Sequence, residues 1–142
     1  MTRINAFIST HELCDQHLLA EYRELPRMVA FCVQRLAKYR GELGPRFDYP
    51  TLGEGHMSYF LPYGDSLCIR QAGIVLELQR RGFSPEHTGP LVYPGPMGRF
   101  PVEHCQPWRA ILIPRITERL KTMKRKPTWT KSTRPYWSLL CN

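Results

Sequence analysis

What this chain lacks narrows its chemistry before anything else does. None of its 142 residues belong to an apolar run approaching the roughly 18 that a membrane-spanning helix needs. Its opening, MTRINAFIST, has no apolar core of the kind that heads a secretory leader. Nothing here directs the chain out of the compartment where it is made, and a cytoplasmic protein is expected. The five cysteines (Cys14, Cys32, Cys68, Cys105 and Cys141) are odd in number and form no CxxC pair. A disulfide framework and a zinc site are both disfavoured, and free thiols in a reducing compartment are expected. His87, His104 and Cys105 do not have zinc-ligand spacing, so no metal is expected. Acidic residues are scarce: 12 Asp and Glu against 20 Lys and Arg, a net charge of +8 and a pI near 9.5. A small basic domain with aromatics along its whole length suits a polyanionic partner, most commonly nucleic acid. An anionic membrane surface is the main rival. No helix shows the basic pattern with a broad apolar face that such a role requires.

What is present reads as a compact all-α single domain, residues 1–142, of about three helices with long ordered loops. Ser9-Thr10-His11-Glu12 has the spacing of a capping box and should open the first helix. That helix should run to Leu25, be kinked or interrupted by Pro26, and resume from Met28 toward Tyr39. Residues 40–64 are rich in Gly and Pro and read as loop. Asp65 or Ser66 should cap a second helix carrying Leu67, Ile74, Val75 and Leu78, with Gly82 as its stop. Residues 84–107 hold six prolines and should exclude helix; so long a stretch is either functional or wrapped over the core. A third helix should span Trp108 to Met123, with Pro114 a possible first residue. No internal repeat is visible.

On a wheel of about 100° per residue, Cys14, Leu18, Leu19, Tyr22 and Leu25 form the apolar side of the first helix. Gln16, Ala20, Arg23 and Arg27 lie nearly opposite, with His17 and Glu24 beside them. Arg23 and Arg27 have the guanidinium fork that fits phosphate oxygens. Glu24 beside them can orient a cationic intermediate or move a proton. A solvated ion pair is the commoner role for such a carboxylate, and His17 is equally a surface residue or a core-edge donor. His56 reads as a loop hydrogen-bonder. The tail combines Lys121, Lys124, Arg125, Lys126, Lys131 and Arg134 with Trp129, Tyr136 and Trp137. Such a set suits phosphate attraction and stacking at distorted base pairs; a solvated extension with a few core aromatics is the alternative.

Met1-Thr2-Arg3-Ile4-Asn5 and the run from Asp15 to Arg27, DQHLLAEYRELPR, closely resemble the phage pyrimidine-dimer DNA glycosylases of the endonuclease V type. Weaker matches follow at Gly55-His56 with Tyr59-Phe60, at Arg80-Arg81-Gly82-Phe83, and at Lys126-Pro127-Thr128-Trp129 with Lys131. One residue is inserted between Asn5 and Asp15, so the family's later functional residues stand here one position further on. The resemblance implies a compact all-α fold with the N-terminus against the first helix. It implies Thr2 as nucleophile, through its α-amine once Met1 is removed, and Glu24 as the essential carboxylate. It implies that Arg3, Arg23 and Arg27 hold DNA near the lesion. Gln16, His17, Lys121, Lys126, Trp129 and Lys131 complete the expected DNA-binding set. The partner would be double-stranded DNA containing pyrimidine dimers or abasic sites. No cofactor is required, and a monomer of viral or bacterial origin, nucleoid-associated through DNA, is expected. The chain departs from the family at Thr130, Ser132 and Thr133, where aromatics are usual, and in the proline-rich stretch.

An α-amine suits this chemistry. Its reference pKa of about 7.7–8.0, against about 10.4 for lysine, leaves a useful fraction neutral at physiological pH. Neighbouring Arg3, Arg23 and Arg27 would favour the neutral form further. Two alternatives use the same residues: an abasic-site lyase without dimer specificity, and a DNA-binding protein that does no chemistry.

Overall fold

The computed structural model describes residues 4–139. Among these residues four α-helices run in chain order: α1 (Asp15–Lys38), α2 (His56–Tyr59), α3 (Gly64–Arg80) and α4 (Cys105–Thr122), with short 3-10 turns before, between and after them. No β-strand occurs among the described residues, and one isolated antiparallel bridge joins Tyr63 to Met97. The protein is all-α. No helix among the described residues is long and apolar enough to cross a membrane.

The first helix begins later than its capping signal. Ser9 heads only a 3-10 turn, Thr10–Glu12, and its side chain caps nothing. The helix proper opens after Cys14, whose Sγ accepts the His17 N–H at 3.5 Å. Glu12 is instead held away from the cap by Arg109 of α4 and the Trp137 indole, which both reach its carboxylate. The helix then runs through Pro26 without ending. Pro26 is exposed, so the partner it denies the Tyr22 carbonyl can be replaced by water.

The buried stripe of α1 is Leu18, Glu21, Leu25, Met28 and Cys32, at alternating three- and four-residue steps. Leu19 and Tyr22 lie at its edge, half-buried. Tyr22 uses its hydroxyl to accept the His87 N–H at 2.8 Å. α3 packs against α1, and α4 and the N-terminal segment, whose Ile4 and Ile8 are fully buried, complete the same core. Trp108 of α4 centres an aromatic cluster. Phe7 and Phe60 stack on it at 6.0 and 5.3 Å between ring centroids, and Tyr59 and His56 meet it edge-on.

The proline-rich stretch wraps over the core. Tyr93 is buried and donates to the Leu61 carbonyl at 2.6 Å. Gly64 donates to Pro96 and Gly98 donates to Pro62. A Cβ on Gly64 would stand 2.7 Å from the Pro96 oxygen, so only glycine allows the strap this close to the start of α3. Asp65 and Ser66 cap nothing there. Asp65 pairs with Arg99 and Ser66 accepts the Phe100 N–H, so both hold the strap down. α3 ends as its sequence suggests, with Gly82 at φ +92 and Phe83 N–H bonded back to Leu78. α4 starts before Trp108, at Cys105. Pro107 falls in its first turn, where a missing N–H costs nothing, and Pro114 is carried inside the helix.

Candidate active site and DNA-binding face

Thr2 and Arg3 lie outside the described residues. The site is therefore built from Ile4 onward. The Asn5 N–H donates to Glu21 Oε1 at 2.9 Å, and the Ile4 N–H donates to His56 Nε2 at 3.1 Å. Glu21 is fully buried within the apolar stripe of α1. It is neutralised there by Arg70 of α3, which bonds to both of its oxygens at 2.6 and 3.1 Å and to the Ile8 carbonyl at 2.6 Å. The incoming chain is thus tied to α1 by Glu21 and to α2 by His56, each a buried side chain accepting a main-chain N–H.

One turn further along α1 stands Glu24, nearly buried, its Oε2 accepting from Arg27 at 3.2 Å. The Arg27 side chain remains 73% exposed. Arg23 is exposed and makes no ion pair among the described residues. A carboxylate held at the edge of the core, flanked by two solvent-facing guanidinium groups, is an arrangement that can stabilise positive charge beside a bound phosphodiester.

His17 lies about two turns before Glu24 and is half-buried. Its Nδ1 is enclosed and has no hydrogen-bond partner among the described residues. Burial, aided by the positive charge of Arg119, pushes its pKa down to about 4. The imidazole is neutral at physiological pH and offers DNA no charge. Gln16 is engaged at both ends of its amide: Nε2 donates to the Lys126 carbonyl at 3.0 Å, and Oε1 accepts the Thr128 N–H at 3.2 Å.

Asp15 gathers the tail. Its carboxylate accepts from Thr128 Oγ1 and Thr130 Oγ1, both at 2.6 Å, from the Thr130 N–H, and from Arg81 Nη1 at 2.8 Å. Burial would raise its pKa, but these donors together overcome burial and hold it below the ordinary carboxylate value. Arg81 is fully buried and also reaches Glu77 and the carbonyls of Thr10 and His11. Trp129 donates its indole N–H to the Glu12 carbonyl, with Arg134 over its ring at 5.1 Å. Lys131 is exposed at φ +53, and its carbonyl is held by Arg80. Lys121, in the last turn of α4, and Lys126 are exposed.

The structure therefore brings the expected residues together in two groups. Arg23, Glu24 and Arg27 sit in the middle of α1. Gln16, Lys126, Trp129 and Lys131 sit around its first turn, about 13 Å away along the axis. Sequence reasoning passed over Asp15, Glu21, Arg70 and Arg81 as functional supports. A signal existed for two of them. Glu21 stands between Leu18 and Leu25, and Arg70 between Leu67 and Ile74, at core-facing spacing where a charge must find a partner.

The family model for pyrimidine dimer DNA glycosylases matches residues 1–89. That span takes in the tethered N-terminal segment, all of α1 and all of α3. The chain belongs to the pyrimidine dimer DNA glycosylase family, and its substrate is DNA.

Proposed function

We propose that this protein excises pyrimidine dimers from double-stranded DNA with the α-amine of Thr2, freed by removal of Met1, and then cuts the strand as an abasic-site lyase. The neutral amine attacks C1′ of the damaged nucleotide, and the base departs with the electrons of the glycosidic bond. Opening of the sugar ring leaves an imine between Thr2 and C1′. Loss of a 2′ proton then drives cleavage of the C3′–O bond and release of the 3′ phosphate. Glu24 supports the positive charge that develops on the sugar and takes part in the proton transfers. Arg3, Arg23 and Arg27 hold the phosphates around the lesion. Lys121, Lys126 and Lys131 add salt-dependent attraction further along the duplex, while Gln16 and Trp129 act through the tail that they anchor. His17 flanks the site as a neutral ring. Because a dimer weakens its duplex, displacing a nucleotide there is cheaper than in intact DNA.

The observation that carries this reading is the tethering of the N-terminal backbone, Ile4 to His56 of α2 and Asn5 to Glu21 of α1, the latter one helical turn from Glu24. Borohydride trapping on a duplex bearing a single cyclobutane dimer tests it, with the attachment site mapped by mass spectrometry. An adduct on the Thr2 amine is expected. An adduct with abasic DNA but not with the dimer would leave a bare lyase, and none with either would leave a DNA-binding member of the family.

A further inference from the structure

Among the described residues two side chains accept main-chain N–H groups at the start of the N-terminal segment, and they are not equivalent. Glu21 holds Asn5, while His56 holds Ile4, the described residue nearest Thr2. His56 is 1% exposed and its ring is wedged edge-on against Phe60 and Trp108, at 5.2 and 5.3 Å between centroids. Its Nδ1 lies 3.0 Å from the Thr51 carbonyl. A carbonyl only accepts, so Nδ1 carries the proton. Nε2 is then a lone-pair acceptor aimed at the Ile4 N–H. Every degree of freedom of this imidazole is set by the core or by a hydrogen bond.

We propose that His56 is a positioning residue for the reactive amine, acting through the Ile4 N–H; this rests on the Thr2 reading above. From the Ile4 nitrogen back to the Thr2 nitrogen the chain contour is about 7 Å. Without His56 the nearest hold among the described residues is the Asn5–Glu21 bond, and the contour grows to about 10 Å. The volume open to the amine rises about threefold on that count alone, and loss of orientation multiplies the penalty. His56 touches no reacting atom in this scheme. It converts a tethered chain end into an aimed one.

The decisive variant removes one hydrogen and leaves His56 in place. A peptide thioester of residues 2–13 is ligated to the remainder of the chain at Cys14, with the Ile4 N–H replaced by an ester oxygen. It is compared with the wild-type chain, His56→Phe and His56→Gln. Measured are the trapping rate at saturating duplex carrying one abasic site, the DNA concentration at half-saturation, and the melting temperature. The ester and His56→Phe should trap about 10- to 100-fold more slowly at saturation, with half-saturation changed by less than about twofold. His56→Gln, whose amide can accept from Ile4 and donate to Thr51, should recover most of the rate. An ester protein that traps at the wild-type rate overturns the proposal while leaving the Thr2 reading intact. So does a folded His56→Gln that falls as far as His56→Phe. A wild-type chain that forms no adduct overturns the Thr2 reading and this proposal with it. If His56→Phe fails to fold, the ester and His56→Gln decide.

Discussion

The N-terminal segment, held by α1 and α2, and the C-terminal tail, held at the start of α1, dock by opposite means. The N-terminal segment lends its main-chain N–H groups to buried side chains, Glu21 and His56, inside the core. The tail lends its threonine hydroxyls and main chain to buried Asp15 and half-buried Gln16 at the start of α1, while Thr128 and Thr130 themselves lie exposed to solvent. Buried bonds act at low dielectric and tolerate little misalignment. Bonds at the surface exchange with water and give way cheaply. A chain end that must be aimed is held in the first way. A basic arm that must settle on a long, variable polyanion is held in the second.

If this contrast is right, changes at the N-terminal dock should reach chemistry and global stability, whereas changes at the tail should reach DNA affinity. The largest effect is expected at Glu24 itself. Glu24→Gln should lower single-turnover excision by about 10³-fold or more, with dimer-containing duplex still bound in a gel-shift titration. Near-normal turnover would remove Glu24 from the mechanism.

Next comes the buried pair beneath it. Arg70→Met leaves the Glu21 carboxylate enclosed without its guanidinium, and should cost about 3–5 kcal/mol in urea unfolding. A loss under about 1 kcal/mol, the range of exposed pairs, would mean that Glu21 finds another partner.

The tail's anchor should fail in acid. The Asp15 carboxyl sits below its ordinary value, as does that of Glu77, which Arg80 and then Arg81 hold down against burial. A depressed folded-state pKa contributes stability that is complete above the unfolded value, near 4, and is lost as pH falls through the folded one. His17 acts earlier. Unfolded, it takes up a proton near pH 6.5; folded, only near 4. Between those values the unfolded state binds more protons, so stability falls as pH drops from about 6.5 to 4. Melting curves in that window should lose part of their slope in His17→Gln, and curves below pH 4 should flatten in Asp15→Asn. An unchanged slope in either variant would sink the corresponding assignment.

The smallest effect is expected on the far side of the comparison. Lys126→Ala and Lys131→Ala should each reduce the salt dependence of DNA binding by about one phosphate's worth and leave the trapping rate at saturation unchanged. A loss of rate at saturation would show that the tail takes part in aiming the amine as well.

Local pattern carried much of this molecule into view. Helical spacing marked α1, α3 and most of α4, and Gly82 marked a helix end, because each depends on neighbours three or four residues away. The block from Asp15 to Arg27 pointed to the family and to Glu24. Residues 40–64 read as loop but hold α2, and residues 84–107 read as free of helix but hold the start of α4. The other misreadings concern caps and breaks. Ser9 looked like a cap, Asp65 and Ser66 looked like caps, Pro26 looked like a kink or an interruption, and Pro114 looked like a helix start. A cap or a break is settled by which distant group competes for the same atoms.

By itself, then, the sequence determined an all-helical chain, its positive charge and the stretch of α1 that bears Arg23, Glu24 and Arg27, since periodicity and composition are local or summed quantities. Only the tertiary structure decided that Glu21 belongs to Arg70, Asp15 to the tail and His56 to Ile4. These partners are separated by 49, 113 and 52 positions, and a buried polar group takes whichever mate the packing of the core brings within reach.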